Sequence, residues 1–278
     1  MQALKDAGSE LGECAMVVCY KNSDNRELTE KLVGVSNIII AYGGDEAEKY
    51  FSGAVKHPKR LIMHPHRLGF GVIGGDFIGC AREAEIHDLA SKISFDVAAF
   101  EQRACLAPHV YFYSKKNNPP VSDFIKALLM QMQECERKIS PATLSDNERH
   151  SRRIFIDGLS FSENVIEFYE TDSKNSLLIH SRIGEFPISP LNRALYLVEY
   201  ENINEVLEIL KPVSRYLQNA SLNVVSQERE RWLDSLSELG VSRICPAGSM
   251  PSPSMRWRHD GIGALIAMAK FCDIEGVD

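Results

Sequence analysis

Asn37-Ile38-Ile39-Ile40-Ala41-Tyr42-Gly43-Gly44-Asp45 runs from a β-branched, apolar stretch into two glycines and an acid. It reads as a strand that turns abruptly into a helix, because glycine tolerates a tight turn and an acid suits a helix N-terminus. The helix continues through Phe51, and residues 60–64 read as the next strand. Upstream, residues 14–20 form a short apolar run suited to a buried strand, and residues 24–33 a polar-fronted helix with Leu28 and Leu32 at i,i+4. Strand and helix in alternation predict an α/β fold with a parallel sheet covered by helices. In such sheets ligands sit beyond the carboxyl ends of strands, where helix N-termini present free backbone N–H groups. Gly43 and Gly44 occupy such a place.

Further along, a strand over 70–73 meets a Gly74-Gly75-Asp76 turn, and a long helix carries Ile86, Leu89, Ile93, Val97 and Phe100 on one stripe. Pro108 ends that helix near Ala104-Cys105, and residues 110–113 resume as a strand, so Cys105 falls at a helix-to-strand junction. Residues 117–120 form a turn, Ser122 caps a helix over 123–137, and residues 140–153 read as a polar loop. Strands follow over 165–169, 176–181 and 193–198. Asn202 then caps a helix broken at Pro212, and a helix over 228–239 leads into the Gly/Pro/Ser-rich segment 246–254. No internal repeat is present.

The chain has 278 residues, which at about 150 per domain suggests roughly two domains. A net charge of −7 argues against a general nucleic-acid binder. The longest uncharged apolar stretch, residues 261–269, is far short of the roughly 20 residues a bilayer span needs. The N-terminus shows no basic region followed by an apolar core and a cleavage site, so the expectation is a soluble, cytoplasmic protein. Seven cysteines, odd in number and without a C-x-x-C pair, suggest reduced and mostly buried thiols.

Several motifs compete for chemistry. Gly69-Phe70-Gly71-Val72-Ile73-Gly74 matches G-x-G-x-x-G, but those residues read as the strand itself, and Asp96, at the offset of the ribose-binding acid, lies inside a helix. Glycine-rich packing is the plainer reading. Gly158-Leu159-Ser160-Phe161-Ser162 is one glycine short of a nucleophile elbow and reads as an ordinary loop, leaving a serine hydrolase at Ser160 as a minor alternative. His57, His64 and His66 cluster without a nearby carboxylate or cysteine, so no metal site is expected. Cys105 is the strongest local candidate for a nucleophile. An ordinary thiol pKa near about 8.5 leaves little thiolate at neutral pH, so it needs nearby cations or backbone N–H groups.

The stretch Phe95-Asp96-Val97-Ala98-Ala99-Phe100-Glu101-Gln102-Arg103-Ala104-Cys105-Leu106-Ala107-Pro108 resembles the nucleophile motif of the LuxC-type acyl-CoA reductases, a branch of the aldehyde dehydrogenase superfamily. Residues 39–47, 66–74, 186–193 and 257–261 resemble the same family in the same order. The resemblance implies an aldehyde dehydrogenase-like fold: a partial, Rossmann-like nucleotide-binding domain over 1–68, an α/β catalytic domain over 69–250, and a C-terminal segment, 251–278, returning to the cofactor domain. Cys105 would face the cofactor across the cleft between them. It would take a long-chain fatty acyl group from acyl-CoA or an acyl-protein as a thioester, and NADPH would reduce this to a fatty aldehyde. In luminescent bacteria such an aldehyde feeds luciferase, with an acyl-transferase and a synthetase as partners; a homo-oligomer is expected.

Gly43 and Gly44 would lie against the cofactor. Aldehyde dehydrogenases that release free acids carry a glutamate that activates water; here the corresponding stretch is His64-Pro65-His66-Arg67-Leu68-Gly69, without a carboxylate, which suits a reductase. His66, with His64 in second place, would move protons, against a plain reading as histidines on a solvated strand end. Ser189 to Arg193 would line a channel near the site or simply start a strand, and Asp260 would orient His259 in a turn without a catalytic role. The family pattern extends upstream of the matched residues. The competing expectation is therefore a truncated or catalytically silent protein lacking the N-terminal cofactor-binding part, with exposed strand edges that favour association.

Overall fold

The structure is a computed structural model describing residues 6, 13–21, 25–75, 77, 83–117 and 119–276. Asp24, Asp76, Cys80 and Asn118, which enter the expectations above, lie outside the described residues. The chain divides into two compact units, Met1–Pro65 and His66–Asp278.

In the first unit the helix Arg26–Val35, strand β1 (Ile38–Tyr42), the helix Asp45–Ala54 and strand β2 (Arg60–His64) follow one another. β1 and β2 pair in parallel, Ile38 opposite Arg60 and Tyr42 opposite His64. The intervening helix is the crossover that parallel pairing demands. Glycine is required where β1 enters it, since a Cβ on Gly43 would lie 2.5 Å from the Ala47 Cβ. The Gly43 N–H donates to the His64 carbonyl at 3.2 Å, and the Tyr42 and His64 rings stack with centroids 4.6 Å apart. Residues 14–20, expected as a strand, form none. A strand needs a neighbour for its backbone groups; the two-stranded sheet does not include this run, and Met16 and Val17 are exposed.

The second unit is built on a seven-stranded sheet. Its strands are β3 (Leu68–Ile73), β4 (Pro108–Ser114), β5 (Val165–Glu170), β6 (Leu177–Ser181), β7 (Ala194–Tyr200), β8 (Leu217–Asn223) and β9 (Arg243–Cys245). They lie in the order β5-β6-β7-β4-β3-β8-β9, parallel throughout except for the antiparallel β5–β6 pair at one edge. Alternate side chains of the buried central strands feed two cores. Phe70, Val72, Val110 and Phe112 pack with Val206 and Leu210 of the helix Ile203–Leu210 and Trp232 and Leu236 of the helix Ser226–Glu238. Ile73, Tyr111 and Tyr113 pack with Leu89, Ile93 and Val97 of the helix Glu83–Ala98 and Phe124 and Leu128 of the helix Val121–Lys138.

The G-x-G pattern serves this packing. A Cβ on Gly69 would meet the Ala107 carbonyl oxygen at 2.4 Å, and one on Gly71 would enter the Tyr111 ring at 2.1 Å. Three local expectations change. Ser122 does not cap its helix, which begins at Val121 after Pro120. The supposed loop 140–153 contains most of the helix Asp146–Leu159, opened by a capping box in which Ser145 and Glu148 bond reciprocally. The helix carrying Ile86 to Val97 stops at Ala98, so Phe100 leaves the apolar stripe and is exposed.

Candidate active site

After Ala98 the backbone enters a left-handed turn with no glycine in it: Phe100, Glu101 and Gln102 have φ of 57°, 54° and 58°. A second such turn precedes β7, where Leu191, Asn192 and Arg193 have φ of 66°, 53° and 64°. Side chains disfavour this region, so the surrounding contacts must hold it. They do so by joining the two turns. Arg193, 1% exposed, meets the Glu101 carboxylate through Nε at 3.1 and 3.0 Å and through a terminal nitrogen at 2.5 Å. The Asn192 N–H donates to the Glu101 carbonyl at 3.0 Å. Gln102, fully enclosed, donates to the carbonyls of Pro108 (2.8 Å) and Ala194 (2.9 Å) and accepts from the Ala194 N–H (2.7 Å). Arg103 adds an outer tie to Asn192 Oδ1 at 2.9 Å and Glu148 at 2.6 Å.

Cys105 stands on the tight turn that follows, closed by the Ala107 N–H on the Ala104 carbonyl at 3.0 Å. The Asn219 side chain of β8 holds the next carbonyl, that of Leu106, at 2.9 Å. The thiol is half-buried. Burial above all, and then the Asp260 charge, push its pKa up; its own backbone N–H and the Arg67 guanidinium pull the other way. It rests as a thiol, so attack requires a proton acceptor.

Asp260 lies in a left-handed turn, φ 53°, over His259–Gly261. Its Oδ1 accepts from Arg67 Nε and from Gln218 Nε2, each at 2.8 Å, and Oδ2 is 4.0 Å from His259 Nε2. The stretch 64–69 has no carboxylate, as read from the sequence, but the fold brings one from the far end of the chain. Asp260 is already occupied by a cation and an amide. Arg67 and Asp260 were not singled out as a pair; both fall within stretches that carry the family resemblance, the one signal available.

Of the expected histidines, His66 is exposed beside β3, whereas His64 ends β2 in the first unit. His109, close to Cys105 in sequence and with Arg103 a candidate cation for its thiol, does not serve as one. It is buried, accepts the Ser189 N–H at Nδ1 (3.0 Å), and is held to a pKa of about 4 by burial and by the charge of His66. It stays neutral, with its proton on Nε2. Gly43 and Gly44 form the turn between β1 and the helix Asp45–Ala54, whose first turn carries Asp45, Glu46 and Glu48. Nothing lies within 4 Å of a Cβ placed on Gly44. Ser160 follows a helix, not the strand a nucleophile elbow needs. Ser189 to Arg193 form the second clamp turn. Among the described cysteines Cys14, Cys19 and Cys272 are exposed, contrary to the burial expected, because they lie in segments outside the sheets.

The family model described as Acyl-CoA reductase (LuxC) matches residues 3–271. The chain belongs to the acyl-CoA reductase (LuxC) family. A long-chain acyl-protein thioester reductase of Aliivibrio fischeri is 24% identical over 267 residues, covering 93% of this chain and 51% of that protein. The chain spans about half the length of the relatives it matches. Among solved structures, Staphylococcus aureus AldH in its substrate-bound state superposes with a TM-score of 0.62 at 12% identity, over 86% of this chain and 52% of that one. An NAD-dependent aldehyde dehydrogenase of Burkholderia multivorans gives 0.59 at 10% identity, over 83% and 45%. This LuxC-family chain therefore has an aldehyde dehydrogenase-like fold.

Proposed function

We propose that the chain performs the chemistry of an acyl-CoA or acyl-protein thioester reductase, with Cys105 as nucleophile, His66 as proton acceptor, NADPH as reductant and a long-chain aldehyde as product. The observation that carries this reading is the half-buried Cys105 thiol on a turn fixed by Gln102 and the Glu101–Arg193 pair. The sulfur attacks the carbonyl carbon of an acyl thioester, its proton passes to His66, and the donor thiolate leaves with a proton, giving an acyl-Cys105 thioester. The backbone N–H that favours the Cys105 anion would also stabilise an oxyanion at the attacked carbon. A nicotinamide cofactor, when bound, supplies the hydride. Hydride on the thioester carbon breaks the C–S bond, releases the aldehyde and returns the Cys105 thiolate, which is reprotonated.

The turn at Gly43 and Gly44 fits close approach of such a cofactor, because it is open above Gly44. Within the proposed nucleotide domain 1–68 these glycines would lie against the cofactor, whereas the acidic first turn that follows them repels its phosphates. Asp260, engaged by Arg67 and Gln218, is poorly placed to activate water, which supports reduction over hydrolysis of the acyl-enzyme. A cytoplasmic homo-oligomer served by an acyl-transferase and a synthetase, with the aldehyde feeding light emission, belongs to the same reading. A second reading, a protein that acylates but does not reduce, is favoured by that same acidic first turn.

The test is incubation with radiolabelled long-chain acyl-CoA and acyl-protein, followed by denaturation and counting. Label on the native chain and none on Cys105→Ala is expected. No label, or equal label on the variant, removes the mechanism. Aldehyde release on adding NADPH separates the first reading from the second.

A further inference from the structure

β8 reaches the Cys105 turn across a bare position of β3. Leu68 pairs with Leu217 and Gly69 with Asn219, so Gln218 is an extra residue in β8 at this level, and a bulge of this kind re-aims the side chains beside it. A Cβ on Gly69 would lie 3.2 Å from the Leu106 carbonyl oxygen and 2.4 Å from that of Ala107, which places the turn carrying Cys105 directly over it. The Asn219 amide, wholly buried, donates from Nδ2 to that Leu106 carbonyl at 2.9 Å. Its other end is held as firmly. Oδ1 accepts from a terminal nitrogen of Arg243 at 3.0 Å and from the Cys245 thiol at 3.8 Å. Burial pushes that thiol up to about 11, so it keeps its proton and remains a donor. A turned-over amide would set N–H against guanidinium and oxygen against carbonyl, so only one orientation is satisfied. Arg243 is fixed in turn by the carbonyls of Ser249 at 2.6 Å and Met250 at 2.9 Å. Asp96 holds the same segment from its other side, accepting the N–H groups of Gly248 at 2.8 Å and Met250 at 3.1 Å.

We infer that Asn219, its amide oriented by Arg243, is a positioning residue for Cys105 in the acylation step, an inference that rests on the reading of Cys105 as nucleophile. Leu106 follows Cys105 directly, so a bond to its carbonyl restrains the peptide plane that leaves the cysteine. The Glu101–Arg193 pair and Gln102 hold the chain before Cys105, and Asn219 holds it after. The sulfur is thereby fixed from both sides. Asn219 acts through the backbone and not on the reacting atoms, and a displacement of about 1 Å at such a distance from the chemistry can cost about 10²-fold in rate.

The test is single-turnover acylation of the full chain over a range of concentrations of radiolabelled long-chain acyl-CoA and acyl-protein. Asn219→Ala should lower the saturating rate roughly ten- to a hundredfold and leave the half-saturating concentration unchanged, because binding is kept and placement is lost. A merely structural role would reduce the amount of label and not its rate of appearance. Asn219→Ser keeps an acceptor for Arg243 but ends one atom short of the Leu106 carbonyl, so it should hold the fold even if the alanine variant does not, and show the same fall in rate. Arg243→Met should slow acylation when Asn219 is present and add nothing beside Asn219→Ala. Native rates in both Asn219 variants, or a loss of label alone, overturn the inference, and additive effects in the double variant overturn the orienting role of Arg243. No label on the native chain removes the nucleophile reading and this inference with it, whereas label appearing equally fast on the native chain and the Asn219 variants removes this inference alone.

Discussion

Replacing Arg193 with methionine isolates the clamp that holds the Cys105 turn. The arginine side chain is 1% exposed and that of Glu101 15%, so the variant leaves an anion enclosed without its cation. It also removes the bond from Arg193 to the Ile139 carbonyl. Breaking one side of a buried pair costs about 3–5 kcal/mol. Arg103–Glu148 joins the same region with side chains 47% and 37% exposed, and an exposed pair of that kind contributes at most about 1 kcal/mol. Urea unfolding followed by circular dichroism should therefore separate Arg193→Met from Arg103→Met by at least about 2 kcal/mol. For a chain of this size the first corresponds to a fall of roughly 6–20 °C in Tm. The double variant Glu101→Gln/Arg193→Met should recover part of the loss, because no unpaired charge remains. Equal destabilisation by the two arginine variants would refute the reasoning, as would a double variant worse than the sum of its parts.

Asp96 is buried and pushed up to about 7 by desolvation, against three bonds donated by Gly248 N–H, Met250 N–H and the Tyr111 hydroxyl. Its folded pKa exceeds the unfolded value near 3.8, so its contribution is fully present below about pH 4 and lost as pH rises to about 7. Asp96→Asn should flatten that fall, at most about 4 kcal/mol; an unchanged pH–stability curve rejects the assignment. In a variant whose other cysteines are replaced, Asp260→Asn should speed Cys105 alkylation at pH 7.5, since it removes the charge that raises the thiol pKa. A pH–rate profile that does not move to lower pH contradicts it. Gly71→Ala, driving a methyl into the Tyr111 ring, should cost about 1–3 kcal/mol, whereas Gly158→Ala, with open space in a helix, should stabilise by up to about 1 kcal/mol. Thermal melts giving both the same sign would undo the packing account.

The parallel pairing of β1 and β2 and the glycine-packed β3 are legible because apolar periodicity and glycine placement express them directly, whereas the helix before Cys105 ends at Ala98 and not near Ala104, broken by the left-handed turn at 100–102 well ahead of Pro108. Nor is β8 legible, although it lies beside the centre of the sheet. Its Gln218, Asn219, Ser221 and Asn223 are buried yet polar, so no hydrophobic run marks it. What makes a strand there is pairing that only the fold supplies, such as Asn223 Nδ2 on the Val72 carbonyl and the Gly74 N–H on that of Asn223. The helix Asp146–Leu159 was missed despite its Ser145-x-x-Glu148 signature, because its charged composition masks a weak apolar face. The clamp turns escaped notice because no glycine announces them. The apolar run 14–20 misled for the opposite reason: its residues suit a strand, but composition does not report whether a neighbour exists to pair with it.

Six side-chain-bearing residues held where glycine would sit more easily, joined by an enclosed ion pair, have a consequence for engineering. Glycine at Phe100 or Leu191 would relax local torsional strain but widen the range of positions the sulfur can sample. The native sequence accepts the torsional penalty when the chain folds, so the freedom of the thiol is already spent before any reactant arrives. Attempts to make this protein more robust by easing its strained torsions should thus be directed away from these two turns.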